Sequence, residues 1–134
     1  MSLLLLDTTF LIDAERGASA LDMVIDDDDD VAIAAITVAE LSVGVQLASA
    51  RQKGRRQAYV DDVIASIPIL SYDHIVAIEH ADLLVSVRRS GQPRGAHDLI
   101  IAATARAFGR TVVSADRHAF DDLPGIMAID HRLA

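Results

Sequence analysis

Four carboxylates stand where short apolar runs give way to polar sequence or where helices begin. Asp7 ends "LLLL" and opens "DTTFLID", Glu40 lies in "TVAELSVG", Asp98 opens "DLIIAATARAFG", and Asp116 follows "TVVSA". Each has an ordinary explanation. Thr37 and Glu40 have capping-box spacing, Asp98 suits a helix N-cap, and Asp7 and Asp116 suit turns after strands. The four together point further. Carboxylates gathered without a cation repel and raise one another's pKa values. A fold tolerates such a cluster best when it binds something positive. The chain has no Cys and no paired-His motif, so oxygen-only ligation suits Mg²⁺ or Mn²⁺ rather than zinc. A cation held this way supports phosphodiester hydrolysis by polarising a phosphoryl oxygen, generating hydroxide and stabilising the leaving oxygen.

The elements that must position these acids alternate between strand and helix. "LLLL" lacks a helical period and reads as a buried strand, as do "VAIAAI" (31–36), "IPIL" (67–70), "TVVSA" and "IMAI" (126–129). Between them lie a short helix from "TTFLIDAERG" ended by Gly17, and helical spacing of Leu21, Val24 and Ile25. A helix begins at "TVAELSVGVQLA" and continues helically from Arg51 to Ser66. A long helix over 73–90 ends with Arg88 and Arg89 before Gly91, and a nearly all-apolar one follows Asp98. Strands apolar on both sides that alternate with helices make an α/β fold, a parallel sheet with helices on both faces. Ligands of such sheets bind beyond the C-terminal strand ends, where Asp7, Glu40, Asp98 and Asp116 are expected to meet.

The 134 residues, 51% of them hydrophobic, fit a single domain over 1–134 with a sizeable core. Absent Cys excludes disulfides and thiolate chemistry and suits a reducing compartment. "LLLL" has no basic flank, and no apolar run reaches membrane length, so a cytoplasmic protein with no membrane association is expected. The net charge of -8 argues against nucleic acid as a partner. Five of those charges belong to the run Asp26 to Asp30, read as a solvated loop, and without them the net charge is -8 + 5 = -3. A bound cation would also reverse the local charge at the site.

Arg51, Lys53, Arg55 and Arg56 form the densest basic cluster, most simply a solvated helical face, with phosphate contact as the functional alternative. Arg94, in the loop before Asp98, is a candidate contact for the phosphodiester substrate. His97 reads as a loop or cap residue, and His74, His80, His118 and His131 show no ligand spacing. A receiver-type signalling domain needs a Lys after its last strand, and the one lysine is Lys53. A haloacid-dehalogenase-like phosphatase needs an Asp where Thr9 stands. Phosphate-binding and nucleophile-elbow glycine motifs are absent.

In order and over nearly the whole chain, "LLLLDTTFLID", "AITVAELSVG", "RGAHDLIIAATA" and "TVVSADRHAF" resemble the successive motifs of PIN-domain ribonucleases, nearest to the VapC toxins. The resemblance implies a PIN-like fold, a five-stranded parallel sheet with the first strand central. It implies a Mg²⁺ or Mn²⁺ site, RNA as substrate, and a toxin's role beside a VapB-type antitoxin. The helical apolar stripes around Tyr59–Ile64 and Ile75–Val87 are core first and a homodimer face second. The family's acidic quartet, catalytic and metal-binding, falls on Asp7, Glu40, Asp98 and Asp116, and the hydroxyl near the last acid on Ser114. Thr8 is then placed to hydrogen-bond within the site. Thr9 stands where relatives often carry Asn or Ser, and His118 where some carry a further acid, so no fifth metal ligand is counted. Asp121 and Asp122 are acidic but unplaced. The alternative is a non-catalytic PIN-like module that binds RNA or protein.

Overall fold

A computed structural model describes residues 1–17 and 25–132. Its five strands are β1 (Leu3–Leu6), β2 (Asp30–Ala34), β3 (Ile69–Leu70), β4 (Thr111–Ser114) and β5 (Ala128–Asp130). All pair in parallel, in the order β3-β2-β1-β4-β5. The expected α/β sheet with a central first strand is therefore present. The five α-helices of the described residues are α1 (Thr8–Glu15), α2 (Ala35–Leu47), α3 (Ala50–Ser66), α4 (His74–Ser90) and α5 (Ala96–Ala107). Leu21 and Val24, expected to be helical, lie outside the described residues.

Successive strand residues point to opposite faces, and "LLLL" divides accordingly. Leu5 packs with Val76, Leu83, Leu99 and Ile101 from α4 and α5. Leu4 and Leu6 pack with Phe10, Leu11, Leu41, Val45, Val60 and Val63 from α1, α2 and α3. The run is apolar throughout because both faces of the central strand are covered.

Several boundaries differ from the sequence expectation. β2 stops at Ala34, where its register with Leu70 of β3 ends, so Ala35 and Ile36 open α2 instead of extending the strand. Thr37 is then wholly buried inside the helix, and Ala34 occupies the cap without a side-chain bond, which removes the capping-box reading of Glu40. The helix expected to continue through residues 48–50 breaks at Ala48 and Ser49, whose backbones are extended. That break folds α3 back against α2, joining Val60 and Val63 to Leu41 and Val45. β3 and β5 are shorter or displaced, as befits edge strands with one neighbour.

The aspartate run is more structured than a solvated loop. Asp29 accepts from the amides of Ser2 (2.8 Å) and Asp26 (2.9 Å), and Asp30 pairs with Arg110 at 2.7 Å. It lies beside the start of β1, since Asp30 is in register with Leu3, so it occupies the opposite sheet edge from Asp7.

Candidate active site

Strand order reverses at β1, which has β2 on one side and β4 on the other. Such a switch point is where open α/β sheets bind ligands, and Asp7 is the residue that leaves it. Its amide still bonds the Val113 carbonyl of β4 at 3.0 Å. Its side chain already caps α1, with Oδ1 accepting from the Thr8 amide at 2.7 Å. The carboxylate is only 3% exposed. Oδ2 accepts from the hydroxyls of Ser114 at 2.6 Å and Thr9 at 3.1 Å. The capping expectation for Asp7 thus holds, and the same geometry locks the carboxylate against the end of β4.

The lock extends to the other elements. Ser114 Oγ accepts from the Asp116 amide at 3.0 Å, and Asp116 Oδ1 accepts from the Ala119 amide at 3.3 Å. Thr9 Oγ1 accepts from the Ala115 amide at 2.9 Å, so Thr9 ties α1 to the strand that carries Asp116. On the other side, Thr8 Oγ1 donates to Glu40 Oε1 at 2.8 Å. Thr37 Oγ1 lies 3.4 Å from the same hydroxyl. Glu40 Oε2 stands 3.6 Å from His97 Nδ1, across the gap to α5.

Asp98 is the third residue of α5, in its first turn rather than at its cap, which Gly95 fills without a side-chain bond. Its carboxyl is pushed up to about 6, first by burial, then by the charges of Asp7, Asp116 and Glu40, with His97 acting weakly the other way. Carboxylates from four separate chain segments therefore share one electrostatic environment at one sheet edge. They do not form a closed cage. Among the described residues, the acids whose oxygens all lie within 4.8 Å of one another are Asp26, Asp28 and Asp29. Those oxygens already serve the Ser2 and Asp26 amides and, at 3.4 Å, the terminal ammonium of Met1.

The donor set of the quartet fits a hard cation. It is all oxygen, and Asp7 accepts three hydrogen bonds from a carboxylate's roughly four lone-pair positions, leaving one free.

Arg94, expected to contact RNA, has its guanidinium turned to the protein. Nη2 donates to the Asp121 carbonyl at 2.6 Å and Nη1 to that of Gln92 at 3.0 Å, which secures the loop before α5. Two contributors escaped the sequence reading. Thr9 reads in the sequence only as a departure from the family's usual Asn or Ser. Gly95 was passed over, yet a Cβ there would stand 2.8 Å from Asp98 Oδ2. The "RGAHD" string held the signal, a glycine three residues before an acid at a helix start.

Residues 4–126 match the PIN domain family. A tRNA(fMet)-specific endonuclease VapC of Salmonella typhimurium is 33% identical over 98 residues, 73% of either chain. DNA-bound VapBC from Salmonella typhimurium superposes with a TM-score of 0.84 at 28% identity, covering 98% of this chain and 99% of that one. A member of the VapBC family of toxin–antitoxin systems from Mycobacterium tuberculosis gives 0.81 at 29%, covering 96% and 98%. With the family model spanning most of the sequence and the acids meeting at the switch point, the chain belongs to the PIN domain family and, within it, to the VapC proteins.

Proposed function

We propose that this chain, as one domain over residues 1–134, is a metal-dependent endoribonuclease and the toxin of a toxin–antitoxin pair. The observation that carries the reading is the meeting of Asp7, Glu40, Asp98 and Asp116 beyond β1 and β4, where burial and the other three push the Asp98 carboxyl up to about 6. The curated relative named a tRNA(fMet)-specific endonuclease makes tRNA the first RNA to assay. The solved VapBC relatives make a VapB-type antitoxin the proposed partner. Among the described residues no helix is long and apolar enough to cross a membrane, and the cytoplasm is the compartment this reading calls for. A homodimer is the proposed assembly, with Ile75, Ile78 and Val85 exposed along α4 as its apolar face; sedimentation checks it.

Asp7, Glu40, Asp98 and Asp116 would hold Mg²⁺ or Mn²⁺, which when bound supplies Lewis-acid activation of a phosphoryl oxygen and an acidified water. The protein's own part is positional and protonic. Ser114, Thr9 and the Thr8 amide fix Asp7, and the Thr8 hydroxyl fixes Glu40, so neither carboxylate reorganises during the reaction. Asp98, in the first turn of α5 and facing the field of the other three acids, would take the proton released by the attacking water. Purified protein is expected to cleave tRNA with Mn²⁺, to stop in EDTA and to resume when Mn²⁺ is restored. Cleavage that continues in excess chelator contradicts the metal requirement. RNA binding with no cleavage under any metal supports the non-catalytic module instead.

A further inference from the structure

We infer that Arg16, Arg55 and Arg56 form a phosphate track that guides the RNA backbone along α3 toward Glu40, an inference that rests on the ribonuclease reading above. A narrow cleft of about 90 Å³ between α1, α2 and α3 has Glu40 among its lining, with Arg16, Arg56 and Tyr59. A wider one of about 550 Å³ is lined by Arg16, Gln52, Arg55, Arg56, Tyr59 and Glu15. Four lining residues are common to both, so they make one groove that runs from a site carboxylate to the basic half of α3.

Charge selects the occupant. The first ten residues of α3, "ARQKGRRQAY", carry four of the chain's 12 basic residues and no acid, in a protein of net charge -8. Residues 51 and 55, and 52 and 56, are each one helical turn apart, which gives a ladder of donors along the helix. The guanidiniums of Arg16, Arg55 and Arg56 have no hydrogen bond or ion pair among the described residues. Arg94, Arg106, Arg110 and Arg132 are all bound to protein. Guanidiniums left unpaired along a groove that ends at the candidate catalytic site suit a repeating phosphodiester, which they bind bidentately. Glu15 is the one carboxylate on the wide part of the groove, and its Oε2 is sealed from solvent. Tyr59 adds no negative charge, because burial and Glu15 push its hydroxyl up to about 12.

The test measures binding of the full chain to unmodified tRNA in EDTA across a salt series, for wild type and Arg55→Ala/Arg56→Ala. Arg88→Ala/Arg89→Ala on α4 is the control that removes equal charge elsewhere. The track variant is expected to bind at least about tenfold more weakly, with a slope of log K against log salt shallower by about 1.4, or roughly 0.7 for each lost contact. The control should match wild type, and Arg55→Lys/Arg56→Lys should recover much of the slope. An unchanged slope in the track variant, or an equal change in the control, overturns the track. So does intact RNA binding with lost affinity for the antitoxin, which would make the groove a protein seat. Because cleavage plays no part in this readout, a failure of the ribonuclease reading shows separately, as RNA bound but never cut.

Discussion

Gly95 contributes no side chain, yet it sets where Asp98 can point. Its backbone is ordinary, at φ -60°, so alanine strains nothing there, but the new Cβ would meet Asp98 Oδ2 at 2.8 Å. The carboxylate, the free end of a side chain, would turn away. Gly95→Ala is therefore expected to cost at least about tenfold in cleavage, the scale of a misplaced catalytic group. Its unfolding free energy should stay within about 0.5 kcal/mol of wild type. Unchanged cleavage would show that the position of Asp98 is immaterial. Asp98 itself stores repulsion. Its folded carboxyl sits at about 6, above its ordinary 3.8. Between those values the folded chain holds a proton that the unfolded chain releases, so stability falls as pH rises through that window. After allowance for solvent screening the loss is on the order of 1 kcal/mol. Metal-free Asp98→Asn should consequently melt above wild type at pH 7 and level with it near pH 4. A variant that melts lower at pH 7 would make Asp98 a stabilising helix residue. The four acids were legible from their places after strands and at helix starts. Their bonds were not, because Ser114 and Asp7 meet across a separation of 107 residues.

At the scale of elements, the site depends on how α1 is held, since this short helix carries Thr8 and Thr9. One anchor is Tyr59, whose hydroxyl donates to the Leu11 carbonyl at 2.6 Å. The other is Asp13, gripped by Arg132 at 2.8 and 3.0 Å and by His131 Nε2 at 2.8 Å, just past β5. His131 is buried edge-on against Phe10, and its amide bonds the Ser114 carbonyl at 3.3 Å. Arg132 and His131 hold the Asp13 carboxyl down to about 2, against burial. A lowered carboxyl stabilises above its ordinary value of 3.8, and that contribution is lost as pH falls through about 2. Asp13→Asn should lower stability at pH 7 by roughly 1–2 kcal/mol, discounted because Arg132 is mostly exposed. The deficit should vanish near pH 2, and an equal deficit at both pH values would mean that charge is not the cause. Periodicity revealed the strands and helices because both faces of the sheet are covered. It failed at the Ala34–Ala35 junction and the Ala48–Ser49 break, where apolar and small residues suit either state and tertiary pairing decides. It also treated His131 as idle, since its partner lies 118 residues away.

Across the whole molecule, charge is sorted by place. The aspartate run sits beside the start of β1, the quartet beyond its end, and the unpaired arginines along α3. A net charge of -8 therefore gave the wrong sign for the groove, which sequence totals cannot resolve. The most direct test of a single four-carboxylate metal site is a set of thermal melts of wild type, Asp7→Asn, Glu40→Gln, Asp98→Asn and Asp116→Asn, each with and without Mn²⁺. A ligand stabilises the folded state only through its affinity for it, by about 2.7 kcal/mol at a hundredfold excess over Kd. Wild type should gain clearly from Mn²⁺, and each amide variant should lose most of that gain. If all four variants gain from Mn²⁺ as wild type does, these carboxylates do not share a metal site.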